Sequence, residues 1–266
     1  MTRELCNAAF SRARNDGRSA LIGYLPAGFP SVPGAIAALR AMVDAGVDVV
    51  EVGLPYTDPV MDGPTIQTAA DIALRGGTRT RDVLATVEAV AGTGTPTVVM
   101  TYWNPVVRYG VARFASDLAS AGGAGVITPD LIPDEAGDWL AASEDHDLDR
   151  IFLVSPSSTD TRLAAAAAHC RGFVYATAVM GVTGAREQTS DAAPALVARV
   201  RACTDKPVAV GLGVSNGEQA AGVAAYADAV IVGSALVRRL LDAPDEAAGV
   251  VSVADLAREL AAGVRR

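Results

Sequence analysis

The chain has 266 residues, half of them hydrophobic, and a formal net charge of −8. That charge argues against a nucleic-acid partner, and no window approaches the ~20 unbroken apolar residues of a membrane span. The start, Met1-Thr-Arg-Glu-Leu5, has no apolar signal core, and Cys6, Cys170 and Cys203 are scattered without metal spacing, so a reducing cytoplasm and no bound metal are expected.

Residues 2–15 have helical spacing and precede a first strand near 20–25. Further β-branched apolar runs predict strands near 48–54, 97–102, 125–129, 150–155, 173–178, 207–211 and 229–232. Ala-rich helical segments separate them at 34–45, 111–121, 134–143, 161–169, 191–202 and 216–225, and 251–262 reads as a closing helix. Strand–helix alternation repeated eight times predicts an α/β fold, a single (β/α)8 TIM barrel with an extra N-terminal helix. A doubly wound open sheet is the main alternative, but no G-x-G-x-x-G follows the first strand. No linker or low-complexity tract divides the chain, so 1–266 reads as one catalytic domain.

Barrel chemistry sits at the carboxyl ends of the strands. Polar and glycine-rich residues gather at those ends: Pro26-Ala-Gly28, Glu51 to Asp62, Tyr102-Trp-Asn104, Pro129-Asp130, Gly181-Val-Thr-Gly184, Gly211-Leu-Gly213 and Gly233-Ser234. On the second strand Val47, Val49, Glu51 and Gly53 alternate onto one face. A carboxylate among valines is costly to desolvate, so the Glu51 pKa is expected to rise toward neutrality. Asp62 follows in the next loop, giving two acids in unequal environments, a common arrangement for acid–base chemistry. The plainer alternatives are a buried ion pair for Glu51 and a helix-start cap ahead of Pro64 for Asp62.

The last three glycine-rich turns, with a short helix expected near Ser234, suit a phosphate, because close backbone N–H groups and a helix amino end favour anions. Other sugar-phosphate chemistries lack their residues. Lys206 is the only lysine among 22 basic residues and precedes the seventh strand, away from the mouth. The two histidines, His146 and His169, fall in helical segments. A Schiff-base aldolase, a metal-dependent aldolase and a histidine-assisted isomerase are therefore disfavoured. There is also no nucleophile elbow.

The segment Glu51-Val-Gly-Leu-Pro-Tyr-Thr-Asp-Pro-Val-Met-Asp62-Gly-Pro-Thr-Ile-Gln67 resembles, without a gap, the signature of the tryptophan synthase α chains. That signature reads Glu-Leu-Gly-Ile-Pro-Phe-Ser-Asp-Pro, two variable residues, then Asp-Gly-Pro-x-Ile-Gln; this chain departs from its common form at Tyr56, Thr57 and Met61. Leu153–Asp160 and Pro207–Ser215 resemble the family too.

The resemblance implies retro-aldol cleavage of indole-3-glycerol phosphate to indole and D-glyceraldehyde 3-phosphate, with no cofactor in this chain. By the same resemblance Glu51 is the mobile proton donor and acceptor, Asp62 accepts from the indole N–H, and Tyr175 lies beside the substrate. Thr183 is expected to bond Asp62 within a lid spanning 182–191. Gly184, Gly213, Gly233 and Ser234 are expected to hold the phosphate. Tyr24, Ile66, Met100, Tyr102, Ile127, Leu212 and Ile231 are expected around the substrate, most of them suited to an apolar indole slot. A pyridoxal-phosphate β chain is implied as partner in an αββα assembly, with contacts from an exposed loop at Pro55 and Asp58 and from Asn104 and Pro105. A stand-alone indole-releasing lyase and a non-catalytic, phosphate-binding regulatory subunit are the alternatives.

Overall fold

In the computed structural model, residues 5–177 and 192–265 are described. Eight parallel strands form the barrel. They are β1 (Ala20–Pro26), β2 (Val49–Gly53), β3 (Thr97–Met100), β4 (Gly125–Thr128), β5 (Asp149–Val154), β6 (Val174–Thr177), β7 (Val208–Gly211) and β8 (Ala229–Val232). Each pairs with the next, and β8 closes on β1. The first half of the helical layer is α1 (Leu5–Asn15), α2 (Val32–Asp44), α3 (Pro64–Arg75), α4 (Thr80–Ala91), α5 (Trp103–Tyr109) and α6 (Val111–Ser120). The second half is α7 (Gly137–Asp145), α8 (Asp160–His169), α9 (Ala192–Arg201), α10 (Gly217–Ala224), α11 (Ser234–Leu241) and α12 (Glu246–Gly263).

The eight strands and the N-terminal helix agree with the sequence reading; several helices do not. α4 and α5 were not expected, α3 was raised only through the alternative of a helix start ahead of Pro64, and the crossover from β2 to β3 holds both α3 and α4. α3 starts at Pro64, whose missing N–H costs nothing at a first helical position, and stops at Gly76. α12 starts at Glu246, ahead of the expected 251, because the Asp245 carboxylate accepts the Ala248 N–H at 2.8 Å and caps it. Val47 precedes β2 and packs outward near Met42, so the inward face of that strand begins at Val49.

Two dry layers result. Outward strand residues meet the helices in one continuous core. Inward residues fill the barrel itself: Ile22, Val49, Val98, Ile127, Ile151, Phe173 and the alanines 20, 209 and 229. α1 seals the amino end, presenting Cys6, Ala9, Phe10 and Ala13 at helical spacing to that interior. The rings of Phe10 and Phe173 lie 5.4 Å apart. With the lower interior solid, room is left only at the carboxyl end. Among the described residues no helix is long and apolar enough to cross a membrane, and no cluster of His, Cys, Asp and Glu forms a metal site.

The amino end is tied by a little-exposed ion pair. The two terminal guanidinium nitrogens of Arg18, Nη1 and Nη2, donate to the two oxygens of Asp48, at 2.7 and 2.8 Å, and Asp48 also accepts the Leu21 N–H at 2.9 Å. Removing Asp48 leaves the little-exposed Arg18 charge with the exposed Asp16 carboxylate, 3.4 Å from its Nε. Asp48→Ala is therefore expected to lower the unfolding free energy by about 3 kcal/mol, read from urea titration, without altering the cavity at the opposite end.

Candidate active site

A cavity opens at the carboxyl end, lined by Glu51 of β2, Tyr24 of β1 and Tyr175 of β6 among others. Tyr24 and Glu51 are register partners. Both tyrosine side chains lie where a neighbouring strand has no side chain. A Cβ on Gly53 would stand 2.3 Å from the Tyr24 hydroxyl oxygen, and one on Gly211 would stand 2.7 Å from that of Tyr175. Glycine at 53 and 211 is thus required for the two phenols to reach the cavity.

Glu51 is 1% exposed, and its Oε1 has no hydrogen-bond partner among the described residues. Burial alone lifts its pKa from the ordinary 4.5 to about 8. The group is therefore chiefly protonated near neutrality and can give up and regain a proton at little cost. No described arginine pairs with it, so the buried ion pair considered for Glu51 is not formed among the described residues.

Asp62 is different. Burial raises its pKa as well, but a hydrogen bond from the Tyr102 hydroxyl to Oδ1, 3.1 Å long, opposes that rise. Its side chain does not cap α3. Gly63 occupies the cap position, and the Asp62 carbonyl instead accepts from the Gln67 amide at 2.7 Å. Both carboxyls face the same space, from different elements and with different partners.

Ile66, Met100, Leu212 and Ile231 give the cavity apolar surface, while Gly213, Gly233 and Ser234 line it where α11 begins. The first amides of a helix lack carbonyl partners within it, so this side suits an anion.

The model of the family described as "Tryptophan synthase alpha chain" matches residues 10–265. The chain belongs to that family. It is 66% identical to the tryptophan synthase alpha chain of Salinispora tropica over 97% of its own length and 96% of the relative's. It resembles Mycobacterium tuberculosis tryptophan synthase with a TM-score of 0.93 and 60% identity, covering 98% of each chain. A mutant tryptophan synthase alpha-subunit from Pyrococcus furiosus matches at a TM-score of 0.84 and 31% identity, over 91% of this chain and 98% of that one.

Within this family member, the cavity brings together Glu51, Asp62, Tyr175, Tyr24, Ile66, Met100, Tyr102, Leu212, Ile231, Gly213, Gly233 and Ser234. Ile127 is not among them. It is fully buried in the barrel interior one layer down, so it does not line the slot. Leu153 of β5 lines the cavity instead, along with Leu54, Met61, Thr101, Pro129 and Thr177, none of which was expected to line it. Alternation along β5 would have offered Leu153; Met61 is placed only by the course of its loop. Thr183, Gly184 and the expected lid lie outside the described residues.

Of the partner-contact candidates, Asp58 and Asn104 are exposed and Pro105 is half-buried. Pro55 is buried, which corrects the expectation of a wholly exposed loop. The two rim segments are joined, because the Asn104 side-chain amide donates to the Tyr56 hydroxyl at 3.0 Å. The Lys206 amine donates to the Ala167 carbonyl at 2.7 Å near the end of α8, far from the cavity mouth.

A raised carboxyl pKa makes wild-type stability fall as pH rises. The contribution from neutral Glu51 is full below about 4.5 and is lost as pH passes about 8. Glu51→Gln should remove that dependence. Urea unfolding at pH 5 and pH 8.5 is expected to show the variant near wild type at the lower pH and about 2–4 kcal/mol more stable at the higher.

Proposed function

We propose that the chain, acting as one catalytic unit over residues 1–266, cleaves indole-3-glycerol phosphate to indole and D-glyceraldehyde 3-phosphate by a retro-aldol reaction. The observation that carries this reading is the pairing of a buried, proton-bearing Glu51, without a hydrogen-bond partner among the described residues, with a hydrogen-bonded Asp62 in one apolar cavity.

Glu51 donates its proton to C3 of the indole ring, which makes the ring the electron sink. Asp62 accepts from the indole N–H and balances the positive charge that spreads onto the nitrogen. The Glu51 carboxylate then takes the proton of the glycerol hydroxyl next to the ring. The carbon–carbon bond breaks, its electrons restore the indole, and the aldehyde forms. Glu51 ends protonated, ready for another turn. No Schiff-base lysine is needed, consistent with Lys206 being held near α8.

Tyr175 orients the glycerol hydroxyls. Tyr24, Ile66, Met100, Tyr102, Leu212 and Ile231 enclose the ring. Gly213, Gly233 and Ser234, with Gly184, hold the phosphate at the start of α11; Thr183 joins Asp62 when substrate is bound. Indole then passes to a β chain that carries pyridoxal phosphate, in an αββα assembly. Asp58, Asn104 and Pro105 form part of that contact, with Pro55 supporting the loop from beneath. Val60 and Val107, 72% and 54% exposed on the two rim segments, supply apolar surface for it. The names of the relatives, which call them one chain of tryptophan synthase, support the same partner. A reducing cytoplasm fits the three free cysteines.

Indole release from indole-3-glycerol phosphate tests the reading. Wild type is expected to be slow alone and markedly faster with a β chain. Glu51→Gln should lose roughly 10²–10⁴-fold in kcat under both conditions. Absence of indole from wild type with a β chain present would leave a regulatory, phosphate-binding barrel; full activity without one would mean a lyase acting alone.

A further inference from the structure

The two acids of the cavity are held by different means. Glu51 sits within β2 and is fixed by the barrel wall. Asp62 ends a rim loop whose Val60 is 72% exposed, so its position depends on what anchors the loop. One side chain does so from the end of the neighbouring strand, β3. The Tyr102 hydroxyl accepts the Met61 N–H at 3.0 Å and donates to Asp62 Oδ1 at 3.1 Å. With the amide occupying the oxygen from one side, the O–H has the carboxylate as its acceptor.

The Tyr102 ring is itself immobilised. It is 5% exposed, and its centroid lies 5.4 Å from that of Tyr56, whose hydroxyl is bonded by Asn104. The titratable groups that face Asp62 are Glu51, Tyr24, Tyr175 and Tyr102. No described arginine or lysine forms an ion pair with it. Among these neighbours only Tyr102 donates a hydrogen bond to the carboxylate. Burial and the Asp62 charge push the Tyr102 phenol up to about 12, so it keeps its proton throughout the neutral range.

We propose that Tyr102 is a positioning residue for Asp62: it pins the end of the rim loop and directs the carboxyl into the cavity. For the reaction this rests on the role given to Asp62 above. Without the bond, burial acts on Asp62 unopposed and its carboxyl takes up a proton at higher pH. The charge that should meet the indole nitrogen is then lost, while the apolar ring wall is kept.

The test combines a ¹³C-carboxyl NMR titration of Asp62 in the ligand-free protein with kcat and KM for indole release across pH. In Tyr102→Phe the Asp62 midpoint is expected to move up, and kcat to fall roughly ten- to hundredfold with KM close to wild type. The acidic limb of the rate profile should follow the midpoint upward. A fluorinated tyrosine at 102, a stronger donor of nearly the same shape, should move the midpoint down; this arm stands even if the phenylalanine variant does not fold. An Asp62 midpoint that responds to neither change overturns the proposal, whatever happens to the rate. A moving midpoint in a protein that releases no indole would keep the positioning role and reject the assigned reaction.

Discussion

Withdrawal of Glu51 from water is the constraint around which this end of the molecule is organised. An unpaired carboxylate is far more costly to bury than a neutral carboxyl, so a dry site holds the group with its proton on. The site stays dry because the barrel beneath it is solid. α1 covers the amino end, and the isoleucines, valines and phenylalanine of the inner layer fill the barrel beneath the site. A helix far from the chemistry therefore helps to set the acidity of the group that performs it.

Above that layer the barrel makes space by omission. Two inward strand positions, Gly53 and Gly211, carry no side chain, and the phenols of Tyr24 and Tyr175 occupy the room beside Glu51. Burial raises the pKa of both phenols, and neither hydroxyl has a hydrogen bond to a described residue, so each can donate to a ligand. Acidic, phenolic and apolar groups thus share one small space without an arginine or lysine among the described lining residues to neutralise the acids. Among the described residues, the amino end of α11 is suited to negative charge.

The eight strands were legible because buried parallel strands are written as short β-branched runs, and such runs recur here at barrel spacing. α3 and α5 were less so, because they begin within motif residues that read as loop. The acids were legible for a different reason: a carboxyl in an apolar strand needs an explanation, and Glu51 has no structural one. Depth within the barrel was not legible. Ile127 and Leu153 both point inward, yet one lies in the solid layer and the other lines the cavity. Which layer an inward residue joins depends on strand tilt and stagger, and these emerge only when the sheet closes. Tyr102 showed the same limit. Its sequence neighbourhood gives an aromatic near the mouth, whereas its bonds to Met61 and Asp62 depend on where a separate loop ends.

The placement of Lys206 has a practical corollary. The chain has a single side-chain amine, and it sits beside the end of α8, on the part of the barrel turned away from the mouth. Acylating dyes, crosslinkers and amine-reactive surfaces therefore have one lysine to find. Among side chains, coupling through it would immobilise the barrel by its base, with the cavity and the rim loops left facing the solution.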